Sequence, residues 1–271
     1  MKRLTVILAA VVFGLLCLTE VWAESPAIGT SERAMSPKMT AQSYGARLEE
    51  TALGNYIADG MRLAGGADIA IECGGHLVKS LPGGTLTEAD ACAVFSGDLE
   101  IAVIELTPDL LFDLLEYAVG EPQIDESERL DRDTGSDRFP QISGFSFEFD
   151  VSQLPGRRLR QVKLADGTEL SRGDQLSLIA AVPMDMLDGT LGFSMLEGLD
   201  YRTIGSQSEL LIRHIREEGQ VTIPETGRIT MVGSAEDTLY ESLHIGYFLP
   251  YILLLVILFR LIWRKRKKQK T

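Results

Sequence analysis

Histidine is scarce in this sequence, which contains only His76, His214 and His244 among its 271 residues. A hydrolytic centre with two metal ions needs several histidine, aspartate and asparagine ligands at close quarters. Motifs of the type D-x-H or G-N-H are absent, since Gly54-Asn55 runs into Tyr56. We therefore expect no catalytic residue, no metal site and no cofactor in this chain. We interpret His214 and His244 as surface residues.

Positive charge is also scarce outside the two ends of the chain. The sequence has 26 basic and 39 acidic residues, which gives a formal net charge of −13. Nine of the basic residues lie within residues 2–3 and 260–270, and without these and Glu20 the chain keeps 17 basic and 38 acidic residues. A surface of this charge repels nucleic acid and anionic lipid. We expect no nucleic-acid partner, and an anionic ligand would need a local basic pocket.

The N-terminus is typical of a secretory signal peptide over residues 1–23. Lys2 and Arg3 precede an apolar run from Leu4 to Leu18, and Val21-Trp22-Ala23 resembles a cleavage site. Residues 24–46 follow with no clear hydrophobic period, so we expect a flexible lead-in to the folded domain.

The C-terminus predicts one transmembrane helix over residues 245–263, which are almost all apolar and long enough to cross a bilayer. The basic tail, residues 264–271, then stays on the cytoplasmic side by the positive-inside rule. A nucleic-acid patch is the alternative for this tail, but its position directly after the apolar segment favours a membrane flank. With residues 233–244 as a linker, the sequence predicts a single-pass type I membrane protein whose main domain is extracytoplasmic.

Cysteine is limited to Cys17, which falls in the signal peptide, and to Cys73 and Cys92. Disulfides persist in an extracytoplasmic compartment, so Cys73 and Cys92 could form one. A nucleophilic Cys73, activated by the nearby His76, is a less favoured alternative to a structural thiol or a disulfide.

The stretch Gly66–His76 predicts a short apolar strand that runs into a glycine loop. Ile69 and Ile71 supply the strand, and Gly74-Gly75 permits backbone turns that other residues resist. Loops directly after strands often hold ligands, although most Gly-Gly pairs are only turns.

The remaining pattern predicts a mixture of helices and strands without strict alternation, in one α+β (mixed α/β) domain over residues 47–232. Residues 120–138 form a charged insert, which we interpret as a solvated loop because the spacing of a calcium-binding loop is absent. The phenylalanines of Phe145–Phe149 alternate, which favours a buried strand. The other predicted elements are a helix from Arg47, a capped helix at Thr87–Val94, a strand at Leu99–Leu106, a helix from Thr107 and a helix at Ser208–Glu217.

Six segments of the chain carry recognisable motifs, in order. Glu50–Met61 is similar to E-x-x-L-G-N-L-x-A-D-A-M, and Ala67–Leu81 to A-D-I-A-[IL]-x-N-x-G-G-[IL]-R-x-x-[IL]. The other four are Leu86–Val94, Phe139–Phe145, Pro155–Leu159 with Asp166-Gly167, and Gly227–Ile229. Together these segments resemble the 5′-nucleotidase / UDP-sugar hydrolase family, and specifically its C-terminal domain. In that family, complete enzymes carry an N-terminal metallophosphoesterase domain with two metal ions, and the C-terminal domain binds the base and sugar. This chain resembles only the second half.

The resemblance also places this chain's residues at the family's ligand-binding positions, where several depart from the pattern. Cys73 stands at an asparagine and Val78 at a substrate-binding arginine. Ser96–Leu99 replaces a P-F-x-N segment whose ring stacks on the base. Asp185 stands at a second stacking ring, and Leu191 at an acidic residue.

Only Arg47 matches one of the family's basic substrate contacts. Arg47, His76 and Lys79 could form a residual pocket. The candidate ligand-binding residues are therefore Arg47, Cys73, Gly74, Gly75, His76 and Lys79.

The leading hypothesis is a non-catalytic, membrane-anchored relative of the nucleotidase C-terminal domain, acting as an extracytoplasmic binding or interaction module. The alternative is the substrate-binding subunit of a split 5′-nucleotidase, in which a separate metallophosphoesterase supplies the metal ions. The partner would accordingly be that metallophosphoesterase or another extracytoplasmic protein.

Overall fold

The computed structural model describes residues 25–38, 40, 43–127 and 129–234. The predicted signal peptide, transmembrane helix and basic tail lie outside these residues, as does nearly all of the predicted linker. No helix within the described ranges is long and apolar enough to cross a membrane.

The described residues form four α-helices and twelve strands. The helices are α1 (Ala52–Gly65), α2 (Glu88–Cys92), α3 (Pro108–Ala118) and α4 (Gln207–Glu218). The strands are β1 (Ala27–Ser31), β2 (Ile69–Cys73), β3 (Gly84–Thr87), β4 (Glu100–Leu106), β5 (Pro140–Ser143), β6 (Phe145–Asp150), β7 (Leu159–Leu164), β8 (Glu169–Leu170), β9 (Leu178–Pro183), β10 (Tyr201–Ser206), β11 (Gln220–Val221) and β12 (Ile229–Val232).

The centre of the domain is a mixed five-stranded sheet with the order β10-β4-β9-β2-β5. Only β2 and β9 run parallel, and the other pairs are antiparallel. Two smaller sheets flank it, with the orders β11-β1-β3 and β12-β6-β7-β8. The predicted α+β fold of a single domain is confirmed.

The inner strands β4, β9 and β2 of the central sheet are buried on both faces, which explains why they are apolar at successive positions. Ala102 and Ile104 of β4 belong to one core with α3, whereas Ile101 and Val103 belong to a second core with α1 and α4. Phe145, Phe147 and Phe149 are all buried in the first core, so the prediction from their alternation is confirmed.

Helix α1 begins at Ala52, five residues after the predicted start at Arg47. The Thr51 hydroxyl accepts a hydrogen bond from Gly54 N and caps the helix. The Gln141 side chain accepts from Thr51 N at 2.8 Å and donates to Ala46 O at 3.0 Å, which holds the preceding residues in a turn. The predicted capping of α2 by Thr87 and of α3 by Thr107 is confirmed.

The segment expected to be a flexible lead-in instead contributes a strand to the fold. β1 lies between β3 and β11, and Ile28 and Met35 are buried in the second core. The partners of β1, strands β3 and β11, are far away in sequence. No local pattern therefore indicated that this segment would pair as a strand.

His214 is buried, which corrects its interpretation as a surface residue. Its ring lies 4.6 Å from the ring of Tyr56, between α4 and α1. The two helices approach closely at Gly60, where an added Cβ would lie 3.1 Å from the His214 side chain. His214 shares the inner face of α4 with Leu210, Leu211 and Ile215. The charged residues on the outer face of the helix made His214 look exposed in the sequence.

Candidate functional site

Strand β2 runs directly into the predicted glycine loop, where Gly74–His76 forms one turn of 3₁₀-helix. Gly74 N donates to Phe139 O at 2.8 Å, and a Cβ on Gly74 would lie 1.8 Å from Ala46 O. Gly75 N donates to Asp137 O at 3.0 Å. The two glycines therefore allow neighbouring backbone to pass close to the loop, because there is no space for a side chain at Gly74.

A buried polar network lies beneath this loop. His76 Nδ1 lies 2.6 Å from Glu72 Oε1, and His76 Nε2 lies 2.8 Å from Asp185 Oδ2. The Gln207 amide donates to Glu72 Oε2 at 2.8 Å, and Cys73 N donates to Glu72 Oε1 at 2.7 Å. Strand β2, the turn after β9 and helix α4 thus each bring one polar group to the loop.

The two carboxylates decide the charge of His76. Burial alone would lower the pKa of the imidazole, but Glu72 and Asp185 raise it to about 10. His76 is therefore an imidazolium at neutral pH, and both ring N–H groups donate to carboxylates. Neither nitrogen has a free lone pair, so His76 acts as the centre of an ion network rather than as a base or a metal ligand.

Cys73 and Cys92 are free thiols, so the disulfide that the sequence allowed between them is not formed. Cys73 closes β2 inside the first core, whereas Cys92 is exposed at the end of α2. Burial and the Glu72 and Asp185 carboxylates raise the pKa of the Cys73 thiol well above its ordinary value. A protonated, inaccessible thiol is a poor nucleophile.

An open cleft of about 680 Å³ lies above the glycine loop. It is the place where the structure brings Arg47 and Gly75 together, along with Val78. Its lining includes Lys38, Tyr44, Arg47, Gly75, Val78 and Arg132.

The six predicted ligand-binding residues divide into three groups. Arg47 and Gly75 line the cleft, and Gly74 lies in the same loop against Ala46 O. Cys73 and His76 are buried below it. Lys79 is exposed and does not line the cleft, and its backbone N–H donates to Val94 O at 3.2 Å.

Sequence reasoning missed the partners of these residues. Glu72 was detectable in principle, since a carboxylate inside a fully buried strand requires a partner. Its partner Gln207 lies 135 positions away, and Asp185 lies 109 positions from His76. The pairing of β9 with β2 and the packing of α4 against α1 bring these residues together.

The cleft also contains contacts that no sequence motif indicated. The Arg47 guanidinium forms an ion pair with Asp137. The Arg132 guanidinium lies 4.3 Å from the centre of the Tyr44 ring and donates to Thr40 O at 2.8 Å. Within the described ranges, no group of three or more His, Cys, Asp or Glu residues is arranged to hold a metal ion.

Comparisons with known proteins agree with the motifs. Residues 27–196 match the family described as 5′-nucleotidase, C-terminal domain. A stretch of 136 residues, 49% of this chain, is 30% identical to the trifunctional nucleotide phosphoesterase protein YfkN of Bacillus subtilis and covers 8% of it.

Solved structures show the same relationship at the level of the fold. A 5′-nucleotidase precursor from Thermus thermophilus has a TM-score of 0.66 and 22% identity, over 84% of this chain and 42% of that chain. The NAD nucleotidase of Haemophilus influenzae has a TM-score of 0.62 and 15% identity, over 76% of this chain and 38% of that chain. This chain therefore spans less than half the length of each of these relatives.

Proposed function

This chain belongs to the family of 5′-nucleotidase C-terminal domains, and we propose that it is a non-catalytic member whose nucleotide pocket has been lost. In this proposal it acts as an extracytoplasmic binding or interaction module. The sequence pattern of residues 1–23 and 245–263 supports secretion and anchoring by one C-terminal transmembrane helix.

The observation that carries the proposal is the buried contact between Asp185 and His76. By the resemblance, Asp185 stands where the family has a ring that stacks on the nucleotide base. Here a carboxylate occupies that position, with Oδ2 at 2.8 Å from His76 Nε2. Base–aromatic stacking contributes about 1–3 kcal/mol per base, and a carboxylate held in a buried ion pair supplies none of it.

Three further positions support the same conclusion. Cys73, at the family's asparagine, is buried in the core, and Val78, at its arginine, presents an apolar side chain to the cleft. Leu191, at its acidic residue, packs against the first core. A charged hydrogen bond contributes about 1.5–3 kcal/mol, so these losses together remove most of the roughly 8 kcal/mol of a micromolar complex.

The two histidines among the described residues support the non-catalytic part of the proposal. His76 is committed to two carboxylates, and His214 lies against Tyr56 between two helices. Neither is available to bind a metal ion or to transfer a proton to a substrate.

The test is calorimetric titration of the purified chain with AMP, UMP, adenosine and UDP-glucose. We expect no binding at millimolar concentrations, and micromolar binding would contradict the loss of the pocket. In parallel, AMP hydrolysis is assayed with added divalent metal ions. We expect none, and a metal-dependent rate that co-purifies with the chain would contradict the non-catalytic proposal.

A second candidate function is the substrate-binding subunit of a split 5′-nucleotidase. The observation that favours it is the position of Arg47, which remains at the cleft beside Gly75. A separate metallophosphoesterase would then co-purify with this chain, and the chain would lower its KM for nucleotide. An unchanged KM in the presence of this chain would exclude the second candidate.

A further inference from the structure

The C-terminal part of the charged insert lines the cleft. Ser136 N donates to Arg47 O at 2.9 Å, and Gly75 N donates to Asp137 O at 3.0 Å. The Asp137 side chain pairs with the Arg47 guanidinium. The insert was expected to be a solvated loop, but it contacts the one basic residue retained from the family pattern and an adjacent backbone donor.

A second set of contacts attaches the insert to the residues that precede Arg47 in the chain. Arg132 lies over the ring of Tyr44 and donates to Thr40 O. Asp131 N donates to Gln123 O at 2.8 Å, so this part of the insert has local structure of its own.

Buried residues limit the segment at both ends. Leu130 and Phe139 belong to the first core, and Arg158 fixes the start of the insert by donating to Pro122 O at 2.6 Å. Between these fixed points, residues 131–137 are attached to the cleft by the buried Ser136, a few hydrogen bonds, the stacked Arg132 and one ion pair. The Arg47 and Asp137 side chains are 56% and 53% exposed, and an ion pair this exposed is weak and sensitive to salt.

We propose that residues 131–137 form an autoinhibitory lid. In this lid the Asp137 carboxylate pairs with the Arg47 guanidinium and takes the place of an anionic ligand. The lid goes beyond the proposed function, because it names the contact that covers Arg47 in the otherwise open cleft, whether or not a nucleotide can bind there. A ligand that competes for Arg47 must carry a phosphate or carboxylate group and must displace Asp137.

The lid is tested by hydrogen exchange and mass spectrometry on the full chain and on two variants. Asp137→Ala removes the ion pair with Arg47. Asp133→Ala is the matched control, since Asp133 is an exposed carboxylate that lines the same cleft without pairing with Arg47. We expect Asp137→Ala to accelerate exchange of the Gly75 amide and of peptides from residues 131–137 by about threefold to fivefold. Asp133→Ala should leave both rates unchanged.

Salt supplies a second measurement on the same three proteins. Because salt screens an exposed ion pair, 1 M NaCl should accelerate exchange in the unaltered chain and in Asp133→Ala. It should have little further effect in Asp137→Ala. Equal exchange in all three proteins at both salt concentrations would overturn the lid.

Ligand titration separates failure of the lid from failure of the proposed function. Inorganic phosphate should slow exchange at Gly75 in Asp137→Ala at lower concentration than in Asp133→Ala. If phosphate protects both variants equally, Asp137 does not compete for the site and the lid is overturned. Micromolar binding of AMP to Asp137→Ala alone would support the lid and overturn the loss of the nucleotide pocket.

Discussion

The Nε2 atom of His76 lies 2.8 Å from Oδ2 of Asp185, although the two residues are 109 positions apart in the chain. The contact joins the glycine loop after β2 to the turn after β9. Together with Glu72 it places one cation between two carboxylates in the interior. Such a network stabilises the fold only while it is complete, because an isolated buried charge is costly.

Replacing the cation should therefore destabilise the domain strongly. In His76→Leu, the Glu72 and Asp185 carboxylates remain buried without their partner. We expect a loss of about 3–5 kcal/mol in the free energy of unfolding, measured by urea denaturation. Lys79→Ala, in the exposed part of the same loop, is the control and should change it by less than about 0.5 kcal/mol. A loss below about 1 kcal/mol in His76→Leu would show that the network contributes little.

The same network predicts how stability depends on pH. The pKa of His76 is raised to about 10 in the folded protein from the ordinary value of 6.5. The folded state therefore holds a proton that the unfolded state has released, and stability falls as pH rises between these values. We expect the free energy of unfolding to decrease by at most about 1.4 kcal/mol per pH unit from this group.

The measurement is urea denaturation between about pH 6.5 and 7.5, below the range in which unfolded cysteine and lysine side chains titrate, because the raised pKa of Cys73 would add a slope of the same sign at higher pH. His76→Gln provides the comparison, since its side chain does not titrate. If the free energy of unfolding falls with pH as steeply in His76→Gln as in the unaltered chain, the pH dependence arises from other groups.

The two cysteines should differ sharply in reactivity towards a thiol reagent. Cys92 is exposed and should be labelled in the native protein. Cys73 is buried and its thiol stays protonated, so it should be labelled only after denaturation. Mass spectrometry of the labelled peptides assigns each site. A peptide pair joined by a Cys73–Cys92 disulfide in the non-reduced protein would contradict the structure.

Gly74 and Gly97 form a matched pair for alanine substitution. A Cβ on Gly74 would lie 1.8 Å from Ala46 O, whereas nothing lies within 4 Å of a Cβ on Gly97. We expect Gly74→Ala to cost about 1–3 kcal/mol or more, because main-chain atoms must move, and Gly97→Ala to be nearly neutral. Thermal denaturation of both variants provides the comparison. Equal denaturation midpoints for Gly74→Ala and Gly97→Ala would mean that the glycine loop accommodates the added Cβ without loss of stability.

Local features of this fold were accessible from the sequence because their causes lie within a few residues. Thr87 and Asp90 cap α2 reciprocally, three positions apart. The alternation of Phe145, Phe147 and Phe149 needs only the two-residue period of a strand to place all three in the core. The family resemblance likewise depends on short motifs in order along the chain.

The candidate site was accessible only in part. The glycine loop and Arg47 were identified from their motifs, and both lie at the cleft. The interpretation of residues 131–137 as part of a solvated loop missed their contacts with Arg47 and Gly75, because a charged composition does not indicate which surface a loop covers.

By itself, the sequence determined the fold class, the capped helices and the loop that follows β2, because backbone propensity and side-chain periodicity act over short distances. Tertiary structure alone decided that β1 completes a sheet, that His214 is buried and that His76 lies between Glu72 and Asp185. The physical reason is that burial and ion pairing depend on which distant segments meet. A charged or polar residue is stable in the interior only where the fold supplies its partner.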